Sequence, residues 1–467
     1  MRKPNPLIIS VPAIRNPDFD PENQIGGSLA IQRKIPIDAP PIAIMTVPNV
    51  PFGNQRALPM SGVRSAKSSA RMKQSHCHGV IIGWSVPLLV TMDAPVYLDH
   101  HATTPCDPRV VEKMLPYFTE HFGNPASITH AHGRKASMAI EDARIAVARF
   151  FGVLPPEVYF TAGATESNNI AVNLVRDGEH FITAATEHKS IVVLAERLRE
   201  RGAEVTLLAP DNEGFIHPQT LLEALKPSTR LVSIEAANGE IGTIQPVAEL
   251  AAICRERRIL FHTDMTQAAG KVRVDLSNVD LASFSAHKIY GPKGVGGLFV
   301  RRGLKAAPVV IGGGQERGVR AGTVNVPGVV GLAAAIQLRA AEMDEEAVRL
   351  TELRELLRES ILGEIEGVSV NGPRELRLPG NLNVSFDRIE ADSLILAMKR
   401  FSLSSGSACS SGDRGPSRVL KAIGASDEAA IGSIRFGLGK SNTAEHIAML
   451  IDDLKRVIRK LREISAA

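Results

Sequence analysis

The sequence predicts an α/β protein, with one large, mostly parallel sheet domain and a smaller α+β domain. Two observations point there. Seven short apolar runs recur between Val158 and Val300, and helical stretches separate most of them. Such alternation implies a parallel sheet covered on both faces. After Gly328 the pattern changes to one long helix and a smaller mixed unit.

The elements follow in order. Arg134 to Phe151 reads as an amphipathic helix, with Ala139, Ile140, Ala143, Ala146 and Val147 on one side. The seven runs are Val158 to Thr161, His180 to Thr183, Val205 to Leu208, Leu231 to Glu235, Ile259 to His262, Leu281 to Ser285 and Gly297 to Val300. Ser190 to Arg201, Pro218 to Leu225 and Val247 to Arg257 are the helices between them. A long helix, Val329 to Glu359, leads to a strand near Asn381 to Phe386 and a closing helix, Thr443 to Ser465. The large domain is expected over 110–345. The small domain combines 93–109 with 346–467. Residues 1–91 look different, with recurring prolines and neither a helical nor a strand period. They are expected to be disordered, or to be a mistranslated extension ahead of a true start at Met92.

Composition narrows the function. The 467 residues are 44% hydrophobic and 22% charged, which suits a globular protein of two or three domains. The net charge of +4 misleads, because residues 1–91 carry +6 and the remainder −2. Nothing there asks for nucleic acid. No uninterrupted apolar run reaches the ~18 residues of a membrane span. The four cysteines, Cys77, Cys106, Cys254 and Cys409, lack metal-ligand spacing and suggest a reducing compartment, the cytoplasm. His76-Cys77-His78 cannot easily turn three ligands to one tetrahedral ion. No resident metal site is expected; Cys409 is at most a transient cluster ligand.

Several residues carry chemistry. Lys288, in Ser283-Phe284-Ser285-Ala286-His287-Lys288, follows a buried run and precedes a glycine-rich loop. Desolvation there favours a neutral amine, which imine formation with pyridoxal phosphate requires. Gly163-Ala164-Thr165-Glu166-Ser167 opens a helix and reads as an anion seat or a plain cap. Asp264, at a strand's carboxyl edge, could protonate a pyridine nitrogen or cap the next helix. Gln267 could reach a ring hydroxyl. His188, in Glu187-His188-Lys189, could stack on a planar ring, or be an ordinary polar edge residue. Arg435, in Ser433-Ile434-Arg435-Phe436, could grip a carboxylate. Cys409 lies in Ser404 to Gly412, a stretch too poor in apolar residues to pack, which suits a nucleophile that must travel. Cys106 and Cys254 read as packing residues.

Together these residues resemble the cysteine desulfurases of the NifS/IscS kind, within the class V aminotransferase group. The resemblance runs from Tyr97 to the C-terminus. It rests on Tyr97-Leu98-Asp99 with Ala102-Thr103-Thr104-Pro105, Phe122 to Ser127, Gly163 to Ser167 and Thr186 to Lys189. It continues through Asp264 to Gln267, Ser283 to Lys288 with Gly291 to Gly294, Glu316-Arg317-Gly318, and Ser404 to Cys409.

The resemblance implies the fold type I architecture of pyridoxal-phosphate enzymes and a homodimer. It assigns the Schiff base to Lys288, the pyridinium partner to Asp264, the ring-hydroxyl contact to Gln267 and the stacking base to His188. Ala164, Thr165, Ser285 and His287 would hold the phosphate, with Thr323 reaching it from the other subunit. Arg435 would hold the carboxylate of L-cysteine. Cys409 would take the sulfur, leaving L-alanine and a persulfide for an acceptor protein, an iron–sulfur scaffold or a thiolation factor. Selenocysteine lyase, or another class V lyase or aminotransferase, is the alternative, and it would not need Cys409. Three departures stand out. Gly239 replaces the second residue of the family's Asn pair, which leaves Asn238 to contact cofactor and substrate. Ala286 and Met265 are milder changes. The chain stops at Ala467 without the extension by which some relatives dock a scaffold, and its Cys409–Pro416 stretch is as long as in relatives with long cysteine loops.

Overall fold

The computed structural model describes residues 94–406 and 415–466. The expectations for residues 1–91, and the placement of Cys409, lie outside the described residues.

A two-residue strand, Val96–Tyr97 (β1), comes first among the described residues. The large sheet follows. Its strands are Val158–Thr161 (β2), His180–Ala184 (β3), Glu204–Leu208 (β4), Thr229–Ser233 (β5), Leu260–Asp264 (β6), Leu281–Ser285 (β7) and Gly296–Val300 (β8). Their order is β2-β8-β7-β6-β5-β3-β4. Pairs within β3 to β7 are parallel, whereas β8 runs antiparallel to both neighbours. All seven apolar runs are therefore strands of one sheet. One expected boundary moves: Glu235 lies beyond β5, and its N–H donates to Glu187 Oε1 at 2.6 Å rather than to a neighbouring strand.

The inner strands are mostly apolar because both faces are covered, whereas the edge strand β4 is largely exposed. Ile182, Val232, Phe261 and Phe284 join the core under the helix Ala131–Phe151. Their neighbours Phe181, Leu231 and Leu281 turn the other way, toward Ile191, Ala195 and Leu198 of the helix Lys189–Glu200. This strict alternation is the pleat expressed in the packing.

The helix Val326–Glu364 joins two cores. Val329, Leu332 and Ile336 belong to the first. Leu350, Leu353, Leu357 and Ile361 belong to the second, with Leu382, Val384, Ile434 and Phe436. Among the described residues it is the one helix long and apolar enough to cross a membrane, but over half of its most apolar stretch is buried in the protein. The second core carries the strands Val368–Asn371 (β9), Asn381–Phe386 (β10), Phe401–Ser402 (β11) and Ser433–Gly437 (β12). β12, β10 and β9 form an antiparallel sheet, β1 pairs parallel with β11, and the helix Ala444–Ala466 closes the chain.

Polar residues collect at the carboxyl ends of the parallel strands, where open α/β sheets bind ligands. One glycine makes this edge tight. A Cβ on Gly296 would lie 2.4 Å from the Phe284 carbonyl oxygen and 2.8 Å from Gly163 Cα. Only a hydrogen there lets the turn after β2 lie on β8.

Candidate active site

A cavity of about 1240 Å³ opens at this edge. The turn after β2 supplies Ala164 and Thr165, the turn after β3 supplies His188, and the end of β6 supplies Asp264 with Gln267 beyond it. Ser285, His287 and Lys288 come from the end of β7, and Arg435 enters from β12. Asn238 also borders the space. The structure thus brings together every candidate of the sequence reading except two. Thr323 is exposed and lies away from this cavity. Cys409 falls outside the described residues, although Gly406 and Gly415, on either side of that segment, line the rim.

Lys288 sits in a single helical turn after β7 and is 8% exposed. Its amine donates to the carbonyl oxygens of His101 and, at 2.8 Å, Ala102. Both carbonyls belong to the His101-Ala102-Thr103-Thr104 segment, which Thr104 ties to the Lys288 turn through His287 O and Tyr290 N–H.

Asp264 is buried and held in place. Asn168 Nδ2 donates to Oδ2 at 2.7 Å, and the Thr266 N–H donates to Oδ1 at 2.9 Å. Asn168 lies on the helix Ala164–Val172, so one element carries the seat for an anion and the support for this carboxylate. Gly163 is the N-cap of that helix, and Thr165 is exposed into the cavity. His287 Nδ1 lies 3.1 Å from Thr103 Oγ1, and burial brings its pKa down to about 4. The ring is neutral near pH 7 and keeps one N–H to donate.

His188 caps its helix through Nδ1, which accepts from Ser190 N–H at 3.2 Å and lies 2.8 Å from Ser190 Oγ. Desolvation by the surrounding walls lowers its pKa, against the pull of Asp264. Beneath it lie two buried carboxyls, Glu187 and Glu235. Burial raises both, and their proximity to each other and to Asp264 raises Glu187 further.

Two candidates are more constrained than the sequence implied. The amide of Asn238 donates to Thr186 O and Glu235 Oε1 and accepts from the Glu240 and Ile241 N–H groups. With both ends of the amide engaged, Asn238 shapes the turn at the cavity wall. Gln267 Nε2 donates to His101 O at 2.9 Å, and Gln267 Oε1 accepts from Lys271 Nζ at 3.0 Å. A Cβ on Gly239 would lie 2.6 Å from Gln267 Nε2, so the missing side chain is what leaves room for Gln267.

Arg435 is buried. It donates to Asp99 Oδ1 at 2.8 Å and to Gly239 O at 3.1 Å, and its Nε has no partner among the described residues. Asp99, Asn168, Glu187, Glu235 and the His101 and Ala102 carbonyls were not foreseen as parts of the site. Only Asp99, Glu187 and Ala102 lay inside quoted motifs. No group of acidic, histidine or cysteine side chains able to hold a metal occurs among the described residues. Cys254 is buried, which pushes its thiol up to about 12, and Cys106 is half-buried with a raised pKa. Neither is a ready nucleophile.

A buried amine, a buried carboxylate and an anion seat of N–H and hydroxyl donors converge on one cavity. That donor set fits pyridoxal phosphate.

Comparison with known proteins agrees. The class-V aminotransferase family model matches residues 96–450. The chain is 49% identical to cysteine desulfurase IscS of Anaeromyxobacter dehalogenans over 383 residues, 80% of this chain and 95% of that protein. It is 48% identical to cysteine desulfurase IscS of Methylobacillus flagellatus over 386 residues, with the same coverage. A solved NifS-like protein superposes with a TM-score of 0.73 at 36% identity, covering 78% of this chain and 99% of the other. The chain belongs to the class-V aminotransferase family and, within it, to the cysteine desulfurases of the NifS/IscS kind.

Proposed function

We propose that the protein converts L-cysteine to L-alanine and passes the sulfur, as a persulfide on Cys409, to an acceptor protein. The observation that carries this is the convergence of Lys288, Asp264, His188 and Arg435 on one cavity. Bound pyridoxal phosphate would supply an electron sink for the substrate Cα. The remaining work falls to the chain.

The N–H groups at the start of the helix Ala164–Val172, with Thr165, Ser285 and His287, would seat the phosphate. Asp264, fixed by Asn168, would hold the ring nitrogen. Gln267 would approach the ring hydroxyl and His188 would cover the ring. Lys288 would carry the cofactor and then hold the proton exchanged at Cα. Arg435 would bind the substrate carboxylate through its guanidinium, drawing on the donors it now gives to Asp99 and Gly239. The Cys409 thiolate would attack the substrate sulfur. One S–S bond forms and one C–S bond breaks, so a cysteine and a thiol become an alanine and a persulfide.

Exposure of Thr323 and of the apolar, 89% exposed Ile311 supports a homodimer in which Thr323 completes the partner's phosphate seat. The two cores would be the large unit over 110–345 and the small unit of 93–109 with 346–467. The acceptor would be an iron–sulfur scaffold or a thiolation factor in a reducing cytoplasm.

The test compares wild type, Lys288→Ala and Cys409→Ala, reading cofactor absorption, alanine and reductant-released sulfide. Lys288→Ala should lose the chromophore and all turnover. Cys409→Ala should keep the chromophore and release no sulfide. Sulfide and alanine from Cys409→Ala at the wild-type rate would refute the persulfide route and favour a lyase.

A further inference from the structure

A second, smaller cavity lies on the far side of Lys288. We propose that it is a binding site for a monovalent anion the size of chloride. The cavity measures about 30 Å³. A single water needs roughly 10–15 Å³ on this measure, so the space suits two waters or one chloride-sized ion. Ile289, Met343 and Leu438 form apolar parts of its wall.

Its polar wall is unbalanced. Lys271 and Arg339 are cations, and Glu346 is the one carboxylate lining it. Glu346 is already engaged, accepting from Arg339 Nη1 at 2.7 Å and from Tyr290 Oη at 3.2 Å. One positive charge is left over even when Lys288 is set aside. Arg339 is 2% exposed, yet its Nε has no partner among the described residues. His100 is 3% exposed, and both of its ring nitrogens are likewise without partners. Burial lowers its pKa to about 4, so near pH 7 the ring is neutral and offers one N–H. Lys271 has one acceptor, Gln267 Oε1. His100, Arg339 and Lys271 therefore line one space with surplus positive charge, and the Lys271 ammonium has more donors than its one acceptor uses. Buried donors need acceptors, and buried charge needs a counter-charge. Water supplies the first only; an anion supplies both.

Protonation of Lys271 sets the affinity. Burial, and then Lys288 and Arg435, bring its pKa down to about 7. Arg339 acts the same way, Glu346 opposes, and His100, His101 and His287 also face it. Raising the pH through 7 removes the charge the anion pairs with.

The experiment uses the cofactor-loaded enzyme. Crystals soaked in bromide are measured for anomalous scattering, and the thermal midpoint is followed in chloride against gluconate at equal ionic strength. The expected result is an anomalous peak in the cavity and a chloride-specific rise of roughly 2 °C per tenfold concentration at pH 6.5. The rise should shrink at pH 8.5. Lys271→Met should lose both signals, with Lys271→Gln as the second variant should Met fail to fold. A cavity holding only water overturns the proposal. So does a bromide peak without chloride-specific stabilisation, which marks an adventitious ion only. The wild-type measurements decide the matter even if neither variant folds.

Discussion

Glu316→Gln tests how the loop that carries Thr323 is anchored. Glu316 and Arg144 each have side chains 3% exposed, and they meet in two hydrogen bonds of 2.8 and 2.9 Å. Glu316 Oε2 also accepts the Phe160 N–H at 2.8 Å, and Arg144 donates to Val158 O at 2.7 Å. The pair ties β2 to a segment where Glu316 and Arg317 both hold positive φ, at 45° and 53°. Such backbone persists only when its surroundings over-determine it. In Glu316→Gln one acceptor oxygen becomes an NH2 that faces guanidinium donors, and the buried Arg144 charge keeps only the exposed Glu141, 3.2 Å from its Nε, as counter-charge. Breaking a buried pair from one side costs about 3–5 kcal/mol. Glutamine keeps one acceptor for Phe160, which places the loss near 3 kcal/mol. Urea denaturation of the cofactor-free protein measures it directly. Arg144→Met in the same background should recover part of the loss, because it removes the stranded charge. A Glu316→Gln variant within about 0.5 kcal/mol of wild type would refute this reasoning.

Other predictions follow from the site. Glu235 has a raised pKa in the folded state, so the fold holds a proton that the unfolded chain has released. Its contribution is full below the ordinary carboxylate range and lost as pH rises toward the raised value. Glu235→Gln should therefore flatten the fall in thermal midpoint between pH 6 and 8.5; an unchanged slope would contradict this. Gly296→Ala should cost about 3 kcal/mol through overpacking and weaken pyridoxal phosphate binding, because the new methyl would strike Gly163. Fluorescence titration with the cofactor reads the second effect, and wild-type affinity would sink the idea. Asp264→Asn keeps one oxygen to accept the Thr266 N–H, but it turns the other into an NH2 facing the Asn168 amide and removes the charge, so alanine formation should fall by about 100-fold.

Much of this was legible in the chain. The inner apolar runs became strands because burial on both sheet faces leaves little polar alternation to blur them. Lys288, Asp264 and His188 were legible because strand ends are where ligands meet such sheets. The reversed direction of β8 was not, since periodicity carries no strand polarity. Asp99 and Arg435 are far apart in sequence, and no local spacing reports their ion pair. Lys271 lies in a run of turns where a lysine reads as solvated, and only tertiary packing brings Arg339 and Lys288 beside it. Asn238 was expected to turn toward the ligands, and the engagement of its amide in a turn shows only in three dimensions.

Sulfur transfer to Cys409 is best tested by incubating the cofactor-loaded enzyme with L-cysteine carrying labelled sulfur and mapping the peptides without reductant. The label should appear as a persulfide on the Cys409 peptide, with one alanine formed for each sulfur held. Label on Cys106 or Cys254, or alanine formed with no label on any cysteine, would contradict the account.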